Sequence, residues 1–218
     1  MQDIPSIAGY RYASAEPSGA HAYLLPCLAR ILDEFERQDT GHQDAGRRLI
    51  DVGCGNGAVT QVLAARGYDV VGIDPSQEGI AQANRAYPHL AIHQGSAYDD
   101  LAATYGVFDV VVSLEVVEHL YDPRRYARVI FDLLKPGGLT VLSTPYHSYL
   151  KNLALAASGR MDAHFTALWD HGHIKFWSRR TLAALLRESG FPEVTYHRVG
   201  RVPFLAKSMV AVTRKPLS

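Results

Sequence analysis

Three stretches of the 218-residue chain combine residue types and spacing that suit chemistry. Leu114-Glu115-Val116-Val117-Glu118-His119 sets two carboxylates three residues apart, with an imidazole beside the second. On a helical turn that spacing puts both acids on one face. Two carboxylates and an imidazole can act as general bases or ligate a divalent cation. Leu49 to Gly57 reads LIDVGCGNG, with Gly53, Gly55 and Gly57 alternating with Cys54 and Asn56, and Asp51 two residues before the first glycine. The stretch from 145 to 177 carries four histidines, His147, His164, His171 and His173, among many aromatics.

The glycine stretch lies between a strand-like and a helix-like run. A sharp turn there needs glycine, and side chains would block a ligand pressed against the backbone. Asp74 and Pro75 follow at the end of the next strand-like run, where a carboxylate can accept hydrogen bonds from the hydroxyls of a ribose. A dinucleotide oxidoreductase is the rival reading. Its fingerprint is G-x-G-x-x-G with a pyrophosphate over a helix N-terminus. Here the spacing is G-x-G-x-G. Asp51 adds a carboxylate that would repel a pyrophosphate but suits a cation. S-adenosylmethionine, with its sulfonium and ammonium groups, meets that demand. A tight turn with no ligand, or a binding module without turnover, also stays open on these residues alone.

The elements that must hold these groups alternate. Apolar positions at helical spacing mark a helix over 20–37, and a polar loop follows over 38–46. Strands are expected at 47–53, 69–74, 90–94, 108–114 and 139–144. Helices are expected at 58–66, 75–87, 123–134 (stopped by KPGG) and 178–189. Phe108 to Leu114, FDVVVSL, is the apolar run of a strand buried on both faces. The alternation predicts an α/β fold: a Rossmann-like doubly wound sheet, mostly parallel, with helices on both faces. The last two strands, 193–199 and 207–213, are joined too tightly for a crossover and should form an antiparallel hairpin at one edge. A connection of about thirty residues after the fifth strand is long for a compact domain, and such loops usually serve function. Tyr149 to Ala157 within it has the pattern of a short amphipathic helix. The expected organisation is one domain over 1–218, with a helical cap at 1–46 and a substrate lid at 145–177.

Composition narrows the setting. Lysine plus arginine equals aspartate plus glutamate at 22 each, which argues against a general nucleic-acid binder. Cys27 and Cys54 form no C-x-x-C pair, so a disulfide framework is not expected and a reducing, cytoplasmic compartment fits. The N-terminus lacks a signal-peptide pattern, and no run reaches the ~20 apolar residues of a membrane span.

In combination the motifs resemble those of class I S-adenosylmethionine-dependent methyltransferases. LIDVGCGNG is similar to their first motif and GIDPS to the ribose-binding strand end. GSAYD, Gly95 to Asp99, is similar to the segment flanking the adenine, with Ser96 where an aspartate is common and Ala97 positioned to meet the ring through its backbone. The resemblance implies Asp51, Gly53, Cys54, Gly55, Asn56, Gly57, Asp74, Pro75, Ser96, Ala97 and Leu114 as the cofactor site. The E-x-x-E-H run is similar to one in ubiquinone-biosynthesis O-methyltransferases and in small-RNA 2′-hydroxyl methyltransferases. It implies catalytic roles for Glu115, Glu118 and His119 and a divalent metal such as magnesium on Glu115, Glu118, His119 and His173. An unaided His119 base is the alternative. Tyr146, His147 and His171 are the substrate candidates, and Tyr10 and Tyr12 are placed to fold over the cofactor. The acceptor is expected to be a small-molecule or lipid-like hydroxyl. RNA is the lesser alternative, through a basic groove of Lys175, Arg179, Arg180 and Arg201. Exposed aromatics in the lid could equally form a homodimer surface.

Overall fold

The computed structural model describes residues 14–17, 19–38, 46–169 and 172–217. Tyr10, Tyr12 and His171 lie outside these residues, as does most of the loop expected before the first strand. Strands β1 (Arg48–Val52), β2 (Asp69–Asp74), β3 (Ala91–Gln94), β4 (Phe108–Leu114), β5 (Leu134–Pro145), β6 (Thr195–Val199) and β7 (Ser208–Arg214) form one sheet, ordered β3-β2-β1-β4-β5-β7-β6. The first five run parallel. β7 enters antiparallel between β5 and β6, which puts the expected terminal hairpin at the edge. The chain reverses its winding beside β1, so the carboxyl ends of β1 and β4 open at the switch point where such sheets bind ligands.

Helices α1 (His21–Gln38), α2 (Ala58–Ala65), α3 (Gln77–Ala86), α4 (Leu101–Tyr105), α5 (Pro123–Asp132), α6 (Tyr149–Ala157), α7 (Met161–Phe165) and α8 (Arg179–Glu188) complete the fold. Alternation along the central strands divides the core. Leu49, Val110, Val112 and Val141 face α1 and α2, meeting Leu28, Leu32, Phe35 and Leu63. Ile50, Val52, Ile73 and Val111 face the other way, toward Leu101 of α4, Tyr126 and Ile130 of α5, and Leu182 and Leu186 of α8. Local capping matches the starts of these helices. Asp100 caps α4, Asp122 precedes Pro123 at the start of α5, and Ser178 with Thr181 forms a capping box on α8.

The KPGG segment does not stop α5 as expected. The helix ends at Asp132, and Leu134 already pairs with Phe108 in β5. Residues 135–138 bulge out before pairing resumes at Leu139. Lys135 fixes the bulge by donating to both oxygens of buried Asp109 at 2.8 Å, and Gly137 N–H donates to the Lys215 carbonyl. Among the described residues no helix is long and apolar enough to cross a membrane.

Candidate active site

The glycine loop turns between β1 and α2 with Gly53, Gly55 and Gly57 all at positive φ. At two of them the neighbour a side chain would strike belongs to the protein. A Cβ on Gly53 would run into Cγ2 of Val116, and one on Gly57 would lie 2.8 Å from Ile92 Cδ1 and 2.9 Å from Ala83 Cβ. These glycines therefore let the loop close onto the segment after β4 and onto α3. Cys54 points inward, its sulfur where a Cβ on Gly72 would meet it at 3.1 Å. The amides of Gly53 and Cys54 donate to the Ile73 carbonyl, which ties the loop to β2.

Asp74 is buried and turned into this loop. Its oxygens accept from the Gly55 and Ser76 amides at 2.9 and 2.7 Å. Burial raises its carboxyl above the ordinary range against the pull of those amides. Each oxygen keeps a second lone pair, so Asp74 can still receive donors from a ligand. Asp51, 1% exposed, accepts from Thr60 Oγ1 at 2.8 Å. Burial pushes its carboxyl up to about 7 despite that bond, and Asp74 adds to the rise. A carboxylate so costly to ionise is one that a bound cation would favour. Asn56 reaches out of the loop to donate to the Ser14 carbonyl at 2.6 Å, and Tyr87 donates to Ala15 at 2.6 Å, so residues before α1 lie against the glycine turn. Ser96 is engaged locally: its hydroxyl accepts from the Tyr98 amide and its amide donates to Asp99. Ala97 packs in the core, Leu114 ends β4, and the Pro75 carbonyl receives Gln94 Nε2.

Beyond β4 the chain turns through Glu115 at φ +56, an uncommon conformation outside glycine, and forms a 3-10 turn over Val117–His119. Glu115 and Glu118 thus do not share one helical turn. Glu115 accepts from Ser143 Oγ at 2.7 Å and from Ser208 Oγ at 3.3 Å. Burial raises it to about 7 against those bonds and against Lys151. Glu118 is 1% exposed and neither of its oxygens has a hydrogen-bond partner of ordinary geometry. Burial, and then Glu115, holds it well above the carboxylate range. His173 is brought to it from the far side, because the Glu118 carbonyl accepts the amides of Ile174 and Lys175, both at 2.9 Å. Its Nε2 lies 3.9 Å from Glu118 Oε1, and burial, then His119, lowers its pKa to about 4. His119 Nδ1 lies 3.2 Å from the Gly172 carbonyl. A carbonyl can only accept, so this bond puts the proton on Nδ1 and leaves Nε2 with its lone pair. Donor atoms of Glu118, His119 and His173 all lie within 4.8 Å of one another.

His173 also lines a cavity of about 430 Å³ roofed by α6 and α7. Its walls mix the aromatics Phe165 and Phe176 with His147, which stacks on Phe165 at 5.8 Å. Burial lowers His147 to about 4, with Lys151 and His164 adding to the fall. Tyr146, buried beside it, offers its carbonyl to Lys151 Nζ at 3.0 Å.

Comparison with known proteins fits this architecture. A methyltransferase domain family model matches residues 21–196. The chain belongs to that family. Among similar sequences, the ubiquinone biosynthesis O-methyltransferase of Ruegeria pomeroyi is 36% identical over 184 residues, 78% of this chain and 73% of the relative. The one from Cereibacter sphaeroides strain ATCC 17025 is 38% identical over 173 residues, 76% of this chain and 68% of the relative. Among solved structures, magnesium protoporphyrin IX methyltransferase from Synechocystis PCC 6803 with bound S-adenosylhomocysteine overlays with a TM-score of 0.65 at 16% identity, covering 88% of this chain and 81% of that one. The protein is an S-adenosylmethionine-dependent methyltransferase.

In this methyltransferase the fold draws three of the four residues singled out as metal ligands into one cluster and leaves Glu115 bonded to serines beside it. Of the basic residues named for an RNA groove, Arg179 lies over the Tyr196 ring and Arg201 joins the cavity wall. Sequence reasoning missed Ser143 and Ser208, which hold Glu115, and the cations Lys151, Arg160 and Lys207 of the cavity. The serines sit on β5 and β7 with no motif to mark them, and the cations converge only after α6 and the β6–β7 hairpin fold together.

Proposed function

We propose that this methyltransferase transfers a methyl group from S-adenosylmethionine to a hydroxyl oxygen of a small acceptor, held under a lid formed by 145–177. The observation that carries this reading is the Glu118–His119–His173 cluster, with two buried carboxylate oxygens that lack a hydrogen-bond partner of ordinary geometry, at the edge of the aromatic cavity. A buried carboxylate short of well-aligned donors is costly, and a cation between it and the imidazoles of His119 and His173 would relieve that cost. Oxygen as the acceptor atom is supported by the relatives, which are ubiquinone biosynthesis O-methyltransferases.

In the reaction the acceptor oxygen forms a bond to the methyl carbon as the carbon–sulfur bond breaks. The sulfonium becomes the neutral thioether of S-adenosylhomocysteine, and the hydroxyl proton passes to a base in the site. Gly53 to Gly57, Asp51 and Asp74 hold the donor: Asp74 takes the ribose hydroxyls, Asp51 faces the cationic amino-acid end, and Ser96 and Ala97 flank the adenine. Glu118, His119 and His173 hold the acceptor end, with Glu115 keeping the turn in place through its serine bonds. A divalent ion bound there would lower the acceptor hydroxyl's pKa and fix its oxygen. Alignment of acceptor and methyl supplies most of the acceleration, since positioning is worth ~7–11 kcal/mol.

A second reading uses no metal: His119, with its proton held on Nδ1 by Gly172, offers Nε2 as the base. Calorimetry separates the two. Manganese titrated into protein loaded with S-adenosylhomocysteine should bind, and binding should be lost in Glu118→Gln. Heat with S-adenosylhomocysteine but none with manganese or magnesium leaves the His119 version. No heat with S-adenosylhomocysteine overturns both.

A further inference from the structure

The cavity beside the cluster is strongly one-signed. Lys151, Arg160, Arg201 and Lys207 all line it, and among the described residues no carboxylate does. The chain as a whole balances its charges, 22 against 22, so this concentration is local. Neither Arg160 nor Arg201 has an ion pair within 4 Å among the described residues. Lys151 bonds only carbonyls, of Tyr146 at 3.0 Å and Ala206 at 3.4 Å. The Lys207 ammonium rests 5.4 Å over the Tyr23 ring. Burial and the neighbouring Arg201 both disfavour the Lys151 ammonium, and Glu115 favours it. Lys151 is partly buried, while Arg160, Arg201 and Lys207 are exposed along the cavity mouth, so an anion entering the cavity would meet four cationic groups of which, among the described residues, none is held by a carboxylate hydrogen bond.

We propose that the acceptor carries an anionic group, a carboxylate or a phosphate, which Lys151, Arg160, Arg201 and Lys207 bind while its hydroxyl lies at Glu118, His119 and His173. This rests on the O-methyltransferase reading above and names the substrate class of that same site. The geometry sets the acceptor's build. His173 belongs both to the cluster and to the cavity wall, so the hydroxyl end is there and the anionic end is across the cavity, toward α6 and the β6–β7 turn. Phe165 and Phe176, in edge contact on the cavity wall, suit a planar or apolar middle. A volume of about 430 Å³ falls in the range of small-molecule pockets, which favours a compact acid over a polynucleotide.

The test uses full-length protein loaded with S-adenosylhomocysteine for binding, and with labelled S-adenosylmethionine for transfer. The probes are a dihydroxybenzoate, its methyl ester, a dihydroxyphenyl phosphate and a single-stranded RNA oligonucleotide. The acid or the phosphate should bind about tenfold tighter than the ester, the scale of charge-assisted hydrogen bonds, and the tighter of the two identifies the anion. In Arg201→Gln that preference should fall to about threefold or less, through KM with kcat spared. Lys151→Met should reduce it as well, and circular dichroism and S-adenosylhomocysteine affinity show whether each variant is folded. Equal binding and labelling of acid and ester overturns the anion site while leaving O-methyl transfer intact. An unchanged preference in the folded Arg201→Gln variant also overturns it. Labelling of RNA alone replaces the small acid with a polynucleotide, and labelling of no hydroxyl probe removes both this inference and the reading beneath it.

Discussion

Replacing Asp51 with Asn should stabilise the ligand-free methyltransferase at mildly alkaline pH and weaken its hold on the cofactor. Asp51 is buried and its carboxyl is pushed up to about 7, chiefly by burial. In the unfolded chain an aspartate titrates near ~3.9. Between the two values the folded protein retains a proton that the unfolded chain has released. Stability contributed by this residue is therefore greatest at acid pH, falls as pH rises through the window from about 4 to about 7, and levels off above it. For one such site the loss between about pH 5 and about pH 8 comes to ~3 kcal/mol. Asn keeps an acceptor for the Thr60 hydroxyl and carries no charge, so the variant escapes the loss. Urea unfolding of both proteins at the two pH values measures it. Glu115 and Glu118 are common to both and cancel in the difference. The variant should gain ~3 kcal/mol on the wild type between the acid and the alkaline measurement. A difference between the proteins that does not change with pH would refute the argument from burial. On the proposed placement of Asp51 at the cofactor's amino-acid end, the same variant should bind S-adenosylhomocysteine about tenfold more weakly, the scale of one charge-assisted hydrogen bond.

Other substitutions address the remaining contacts. Gly53→Ala should cost ~2–5 kcal/mol in urea unfolding, from a left-handed non-glycine residue and a clash with Val116, and adding Val116→Ala should recover only the clash. Glu118→Gln should abolish manganese binding in calorimetry yet leave the metal-free protein no less stable at neutral pH, since it removes a buried carboxyl that burial holds well above the carboxylate range. Asn56→Ala should release the backbone at Ser14, seen as faster proteolysis ahead of α1 and weaker S-adenosylhomocysteine binding. Lys135→Met should destabilise the fold by ~1–3 kcal/mol in urea unfolding, because Asp109 then keeps only the Arg48 amide.

The sheet was legible in the sequence because its strands are apolar runs between turn residues, and the short β6–β7 connection forbids a crossover. The helix over Tyr149–Ala157 was legible from amphipathic spacing alone. The start of β5 was not: Pro136, Gly137 and Gly138 read as a helix stop, whereas Lys135 and Lys215 pin them as a bulge. The glycine loop was found, but a sequence cannot show that Gly53 makes room for Val116 rather than for a ligand. The acid pair looked helical because a spacing of three suits a helix. Glu115 instead adopts positive φ, held by its amide and carboxylate bonds to Ser143. The cavity cations come from distant stretches, and no local pattern announces that they meet.

The double hydrogen bond from Ile174 and Lys175 to the Glu118 carbonyl has a further consequence. Trp177 adds a third tether, its indole N–H donating to the Val117 carbonyl at 3.2 Å. Those three bonds moor one foot of the segment over the cavity to the 3-10 turn itself. The span of that segment, α6 and α7, buries none of its side chains fully. The foot that carries His173 is thus tied to main-chain carbonyls of the turn that carries Glu118, so the spacing of these two side chains is set by the turn rather than by the exposed span.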